Sequence, residues 1–263
     1  MSETASLHYI AFPTLHETPL TIAARLRLPE GGPEKRPAVI ILHGSAGPSG
    51  REGGYAKVLN EAGFATLEPD QWAARGLKGG AVGRPRTVAE TLPDLYGARR
   101  FLAAHPRIDA AHIGVMGFSF GGVASMLAAT RAYNNRFLPD AHFAAYMPVY
   151  PVCWLYNRAP GYGFRDLVAA PVFIVTGALD QYDNDAKASE TLVASLSDAD
   201  RARVKTLVMA DAHHGFDMPG IDVQANDPMS HRGEGGLVTM RYNPMATAQA
   251  HKACVGFFSD AMK

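Results

Sequence analysis

The chain has 263 residues, 47% of them hydrophobic and 19% charged, an ordinary soluble composition with enough apolar material for a sizeable core. Lysine plus arginine and aspartate plus glutamate both number 25, so no charge excess points to nucleic acid or an anionic membrane as a partner. No stretch is apolar for long enough to span a bilayer, the first residues lack the basic and apolar regions of a secretory leader, and Cys153 and Cys254 lie outside any CxxC. The expectation is a cytoplasmic protein with two buried thiols, a single disulfide being the alternative.

In chain order, residues 18–28 alternate apolar and polar in part, as a half-exposed antiparallel strand does. A Gly-Gly-Pro turn leads to Pro37–Leu42, a continuous apolar run that suits a strand buried on both faces of a parallel sheet. It ends in the glycine-rich loop His43-Gly44-Ser45-Ala46-Gly47-Pro48. Tyr55–Ala62 reads as a helix stopped by Gly63, and Phe64–Pro69 as the next strand. Residues 70–87 read as a loop rich in glycine and arginine. A helix follows, its start ambiguous between a capping box at Thr87–Glu90 and a later start that puts Pro93 in the first turn.

The stretch from His112 to Ala129 carries the strongest signal. An apolar strand runs into Gly117-Phe118-Ser119-Phe120-Gly121 and continues as a helix. A serine on a strand-to-helix turn, with glycine two residues to either side, is the nucleophile-elbow pattern. The bare motif is common, and an ordinary glycine-rich turn is its alternative; the context raises it. Beyond it, residues 141–150 and 171–177 read as strands, 184–196 as a helix, 204–209 as the last strand and 245–261 as a final helix with an apolar stripe. Strands alternating with helices from residue 37 onward predict an α/β fold: one domain over 1–263, with a mostly parallel sheet covered on both faces.

Active sites of such sheets lie at the carboxyl ends of the strands, and four ends carry chemistry. The first is His43–Ala46, where a backbone N–H of Ser45 or Ala46 could join that of Phe120 in an oxyanion hole. Ser45 is itself a rival nucleophile, without the elbow context. The others are the elbow, Thr176–Asp183, and Asp211–Phe216. Serine, then acid, then histidine is the chain order of the α/β-hydrolase triad. The serine needs an imidazole to take its proton, and the imidazole needs a carboxylate to fix its tautomer. Asp183 and Asp185 compete with Asp180, and His213 with His214. Asp211, His213, His214 and His231 could instead bind a metal, but no ligand spacing such as HExxH supports that.

Together, Leu42-His43-Gly44-Ser45, Gly117–Gly122, Gly177-Ala178-Leu179-Asp180 and His214-Gly215-Phe216 resemble the dienelactone hydrolase family of α/β-hydrolases, over about residues 18–262. The resemblance implies an α/β-hydrolase fold, and the segment between Tyr150 and Pro171 is too short for a large separate lid domain. It selects His214, before Gly-Phe, and Asp180, in Gly-x-x-Asp, as partners of Ser119. The namesake enzymes carry a cysteine nucleophile and a glutamate in the first strand-end loop, where this chain has Ser119 and His-Gly-Ser. That departure implies a serine-using, esterase-like member rather than one acting on dienelactone itself.

The expected chemistry is hydrolysis of a small ester or lactone through an acyl-enzyme on Ser119, with no metal or organic cofactor. The alternatives are an amidase or peptidase of the same fold, and a slow ligand-binding or scaffold protein that keeps it. His43, Phe118, Trp72 and Tyr150 are the candidate pocket residues. Arg75, Arg84 and Arg86 could receive a substrate carboxylate or be ordinary surface arginines. The polar stretch 217–243 is a candidate flap.

Overall fold

The computed structural model describes residues 5–262. The central sheet is built from β1 (Ala5–Pro13), β2 (Thr21–Pro29), β3 (Arg36–Leu42), β4 (Ala65–Asp70), β5 (Ile108–Phe118), β6 (Tyr146–Val149), β7 (Val172–Gly177) and β8 (Val204–Met209), in the order β1-β2-β4-β3-β5-β6-β7-β8. β1 and β2 pair antiparallel, as do β2 and β4; every pairing from β4 through β8 is parallel. The principal helices are α1 (Gly50–Glu61), α2 (Leu92–Ala104), α3 (Phe120–Ala128), α4 (Arg131–Phe137), α5 (Ala188–Ala194), α6 (Asp198–Arg201), α7 (Ser230–Gly233) and α8 (Pro244–Met262). A separate two-stranded ribbon, β9 (Asp222–Asp227) with β10 (Gly236–Arg241), lies between β8 and α8 in sequence.

Side chains along a strand alternate between faces, and the central strands divide their apolar residues between two cores accordingly. Ala38, Ile40 and Leu42 of β3, with Ile113 and Val115 of β5, face α2 and α3, which contribute Leu92, Leu95, Val123 and Leu127. Val39 and Ile41, with Met116 and Phe118, face the other way, onto Tyr55 and Leu59 of α1 and Ala250, Cys254 and Phe258 of α8. Each large apolar side chain so buried contributes about 1.5–3 kcal/mol from desolvation. Both cysteines are buried free thiols.

Several elements differ from the sequence reading. β1 was not expected; it is an edge strand whose residues 7–9 are exposed, so it lacks a clear inward face. The stretch 217–243 contains the β9–β10 ribbon rather than loop throughout. The helix expected over 184–196 starts only at Ala188, because Asn184 takes a positive φ of 50° and Asp185 caps a turn through the N–H of Lys187. At the start of α2 both sequence signals are used: Thr87 and Glu90 form a capping box on a short 3-10 turn, and α2 then opens with Pro93 in its first turn.

Candidate active site

Ser119 stands between β5 and α3 with φ 51° and ψ −111°, a sparsely populated conformation for a residue with a Cβ that costs about 1–3 kcal/mol. The surroundings hold it there. Its N–H donates to Val149 O at 3.0 Å and its carbonyl accepts from Val123 N–H at 2.8 Å. The flanking glycines allow the approach: a Cβ on Gly117 would lie 2.3 Å from Gly121 O, and one on Gly121 would lie 2.6 Å from the carbonyls of Leu42 and His43. Phe120 opens α3, so its N–H has no intrahelical partner and points with the positive end of the helix dipole.

His214 and Asp180 come from the ends of β8 and β7. The imidazole Nδ1 and Asp180 Oδ2 are 2.8 Å apart, and both side chains are buried. A carboxylate at Nδ1 selects the tautomer protonated there, leaving Nε2 as the basic nitrogen. Asp180 Oδ1 accepts the N–H of Tyr182 at 2.8 Å, which fixes the carboxylate. Asp183 does not bond His214; its two oxygens accept backbone N–H groups, from Cys153 at 3.0 Å and Trp154 at 2.7 Å. Burial, reinforced by Asp180, pushes the Asp183 carboxyl up to about 7. The rival His213 makes no such carboxylate contact; among the described residues its buried Nδ1 has no hydrogen-bond partner. His231 bonds Asn184 and the carbonyl of Leu237 instead.

Ser119 and His214 line one cavity of about 190 Å³, together with Ser45 and Ala46 of the first strand-end loop. A larger cavity, about 680 Å³, lies elsewhere, between β7, β8 and α8.

The four expected pocket residues lie behind this cavity rather than on its wall. Phe118 precedes Ser119 on the strand and so faces the opposite core, against Tyr55. His43 is buried and neutral: Nδ1–H donates to Gly44 O at 2.9 Å and Nε2 accepts from Gln71 N–H at 3.1 Å, and burial holds its pKa down. Trp72 donates Nε1–H to Ser45 O at 3.0 Å and meets the rings of His43 and Phe120 edge-on. It thus supports the loop without touching the cavity. Tyr150 packs behind His214, with ring centroids 4.6 Å apart. Of the arginines, Arg75 forms a bidentate pair with Asp94, Arg84 reaches Ser45 and Asp227, and Arg86 is exposed.

Residues missed in the sequence form much of the wall and its support. Tyr182 packs against His214 with centroids 4.2 Å apart and the rings tilted by 38°. Met218, Ile221, Ala225 and Met240 make an apolar side. Arg51, at the start of α1, reaches the cavity from a buried charge network. Its guanidinium bonds Glu52 and Tyr150 Oη (2.8 Å) and lies over the Phe118 ring. Tyr150 Oη–H in turn donates to Asp217 Oδ1 at 2.6 Å, and Tyr55 Oη–H to Asp217 Oδ2 at 2.8 Å. The one visible trace of this network in the sequence is Ser49-x-x-Glu52, a capping box that the structure forms at the start of α1.

A mostly parallel eight-stranded sheet with a strained serine turn at its centre and an acid–histidine pair at neighbouring strand ends defines an α/β-hydrolase. The chain belongs to the dienelactone hydrolase family, whose model matches residues 22–262. Among solved structures, it is similar to a putative dienelactone hydrolase from Klebsiella pneumoniae (17% identity, 96% of this chain and 99% of that one, TM-score 0.66). It also resembles P91, a dienelactone hydrolase-like promiscuous phosphotriesterase from metagenomic libraries (19% identity, 98% and 100%, TM-score 0.65). A third match is the acylaminoacyl peptidase of Pyrococcus horikoshii, where this chain is covered to 99% but spans 42% of the other (18% identity, TM-score 0.65). No curated protein matches in sequence.

Proposed function

We propose that the protein is a serine hydrolase that cleaves a small carboxylic ester or lactone through an acyl-enzyme on Ser119. The observation that carries this reading is the buried His214–Asp180 bond of 2.8 Å beside a strained Ser119 on the same cavity. Nε2 of His214 takes the serine proton as Oγ attacks the carbonyl carbon. The imidazolium is stabilised by Asp180 and returns the proton to the leaving alkoxide. The N–H of Phe120, with that of Ser45 or Ala46, receives the oxyanion. Water, activated by the same imidazole, then attacks the acyl carbon and releases Ser119. No metal or organic cofactor takes part in these steps.

A cavity of about 190 Å³ is below the usual range for drug-sized ligands, about 300–1,000 Å³, and this favours short acyl and alcohol groups. Two buried free thiols fit a reducing, cytoplasmic setting; among the described residues no helix is long and apolar enough to cross a membrane.

The test is hydrolysis of p-nitrophenyl acetate by the wild type and Ser119→Ala. The expected loss in the variant is about 10³-fold or more; equal turnover would sink the assignment. Matched ester and anilide substrates separate esterase from amidase. A folded protein whose Ser119 resists fluorophosphonates would be a binding protein on a hydrolase scaffold.

A further inference from the structure

The two walls of the cavity come from segments far apart in sequence. The loop over 76–86 supplies Gly80 and Ala81; the β9–β10 ribbon supplies Ala225, Asp227 and Met240. Arg84 joins them. It donates through Nη1 to Ser45 Oγ and through Nη2 to Asp227 Oδ1 at 3.4 Å. The other Asp227 oxygen accepts Tyr182 Oη–H at 3.0 Å, and the Tyr182 ring packs against His214. A continuous chain of contacts therefore runs from the oxyanion loop, round the mouth of the cavity, to the imidazole.

The pair is shielded: the Arg84 and Asp227 side chains are 15% and 7% exposed, away from the exposed regime in which an ion pair contributes little. The carboxylate is also fixed in place, because Oδ1 accepts the N–H of Met229 at 2.8 Å. A two-stranded ribbon is marginal by itself, so its position depends on such anchors. Other anchors lie on the acid-loop side: Gln181 Oε1 accepts Thr239 N–H at 2.7 Å and Gln181 O accepts His231 N–H at 2.9 Å. Arg84 holds the opposite side. It is the bond that ties the ribbon to the opposite wall, whereas Tyr182 and Gln181 tie it to the acid loop.

Resting on the hydrolase reading above, we infer that the Arg84–Asp227 pair is a clasp that limits the size of the group admitted beside Ser119. Arg84 is thereby a positioning residue for the Ser45 loop, its charge neutralised within the protein rather than offered to a substrate.

The experiment compares the wild type, Arg84→Ala, Arg84→Lys, Asp227→Asn and the double variant Arg84→Ala/Asp227→Asn. It measures kcat/KM on p-nitrophenyl acetate and octanoate, and the rate of Ser119 labelling by ethyl and dodecyl fluorophosphonates. The short-over-long preference should fall about tenfold in both Arg84→Ala and Asp227→Asn, with no further loss in the double variant. Arg84→Lys should restore part of it. An unchanged preference in both single variants, at wild-type denaturation midpoints, overturns the clasp. So does an equal fall on short and long probes, which is general destabilisation of the site. Labelling needs only a reactive serine: a wild type that turns over no ester yet labels with a preference lost in Arg84→Ala refutes the ester reading and keeps the clasp. A wild type that neither hydrolyses nor labels refutes both.

Discussion

Tyr150 is the pivot of the buried network, and Tyr150→Phe tests it. The hydroxyl serves two charged partners, donating to Asp217 at 2.6 Å and accepting from Arg51 at 2.8 Å, whereas Tyr55 serves Asp217 alone at 2.8 Å. A hydrogen bond to a charged group contributes about 1.5–3 kcal/mol, and its loss in the interior leaves the partner desolvated. Tyr55→Phe should therefore cost about 2 kcal/mol, and Tyr150→Phe about 3–5 kcal/mol, read from urea denaturation of the three proteins in parallel. The pH dependence sharpens the test. Burial raises the Asp217 carboxyl, while Arg51 and the two tyrosines pull it down. A carboxyl raised above its unfolded value contributes stability that is full below about pH 4 and is lost as pH rises through the folded value. Removing Tyr150 Oη raises that value further, so the deficit of the variant should be smaller at pH 5 than at pH 8. Equal costs for the two phenylalanine variants, or a deficit larger at pH 5, would refute the assignment of Tyr150 as the shared partner.

Other expectations follow from the same geometry. The Asp183 carboxyl is pushed up to about 7, so its contribution to stability is full below about pH 4 and is lost as pH rises through 7; denaturation midpoints of Asp183→Asn should decline less between pH 4.5 and 8 than those of the wild type. Gly121→Ala places a Cβ 2.6 Å from two carbonyl oxygens and should cost about 3 kcal/mol or the fold itself, whereas Gly256→Ala, in α8 with open space around it, should stabilise by about 0.5–1 kcal/mol. Cys153 and Cys254 are buried with thiols pushed up, so at pH 8 their alkylation should proceed at the rate of unfolding; fast labelling of the native protein would contradict their burial.

The parts of the fold that were legible in the sequence are those with a one-dimensional signature. β3 and β7 are buried on both faces and read as unbroken apolar runs; α8 shows its stripe; the elbow combines a motif with its strand and helix. The β9–β10 ribbon had no such signature, because β9 is largely exposed and rich in Asp, Asn and Gln, so no alternation marks an inner face. Chain order and strand ends narrowed the candidate acid and histidine to short stretches, and the family resemblance selected Asp180 and His214, which the fold brings within 2.8 Å of each other. The pocket was not. Phe118 and Tyr150 neighbour functional positions in sequence, but alternation and loop packing turn both into the core beneath them. The wall of the cavity beside Ser119 draws instead on Tyr182 and on Met218, Ile221 and Met240, which come from three separate segments of the chain.

The placement of Trp72 also gives the protein an optical reporter. It is one of two tryptophans; its ring is 2% exposed and its Nε1–H is bonded to the carbonyl of Ser45, while among the described residues Trp154 Nε1 has no partner. Indole emission shifts with the polarity and hydrogen bonding of its surroundings, so a change in the Ser45 loop reaches Trp72 through one bond. With Trp154 replaced by phenylalanine, the remaining emission would follow the state of that loop in real time, without a label and without a chromogenic substrate.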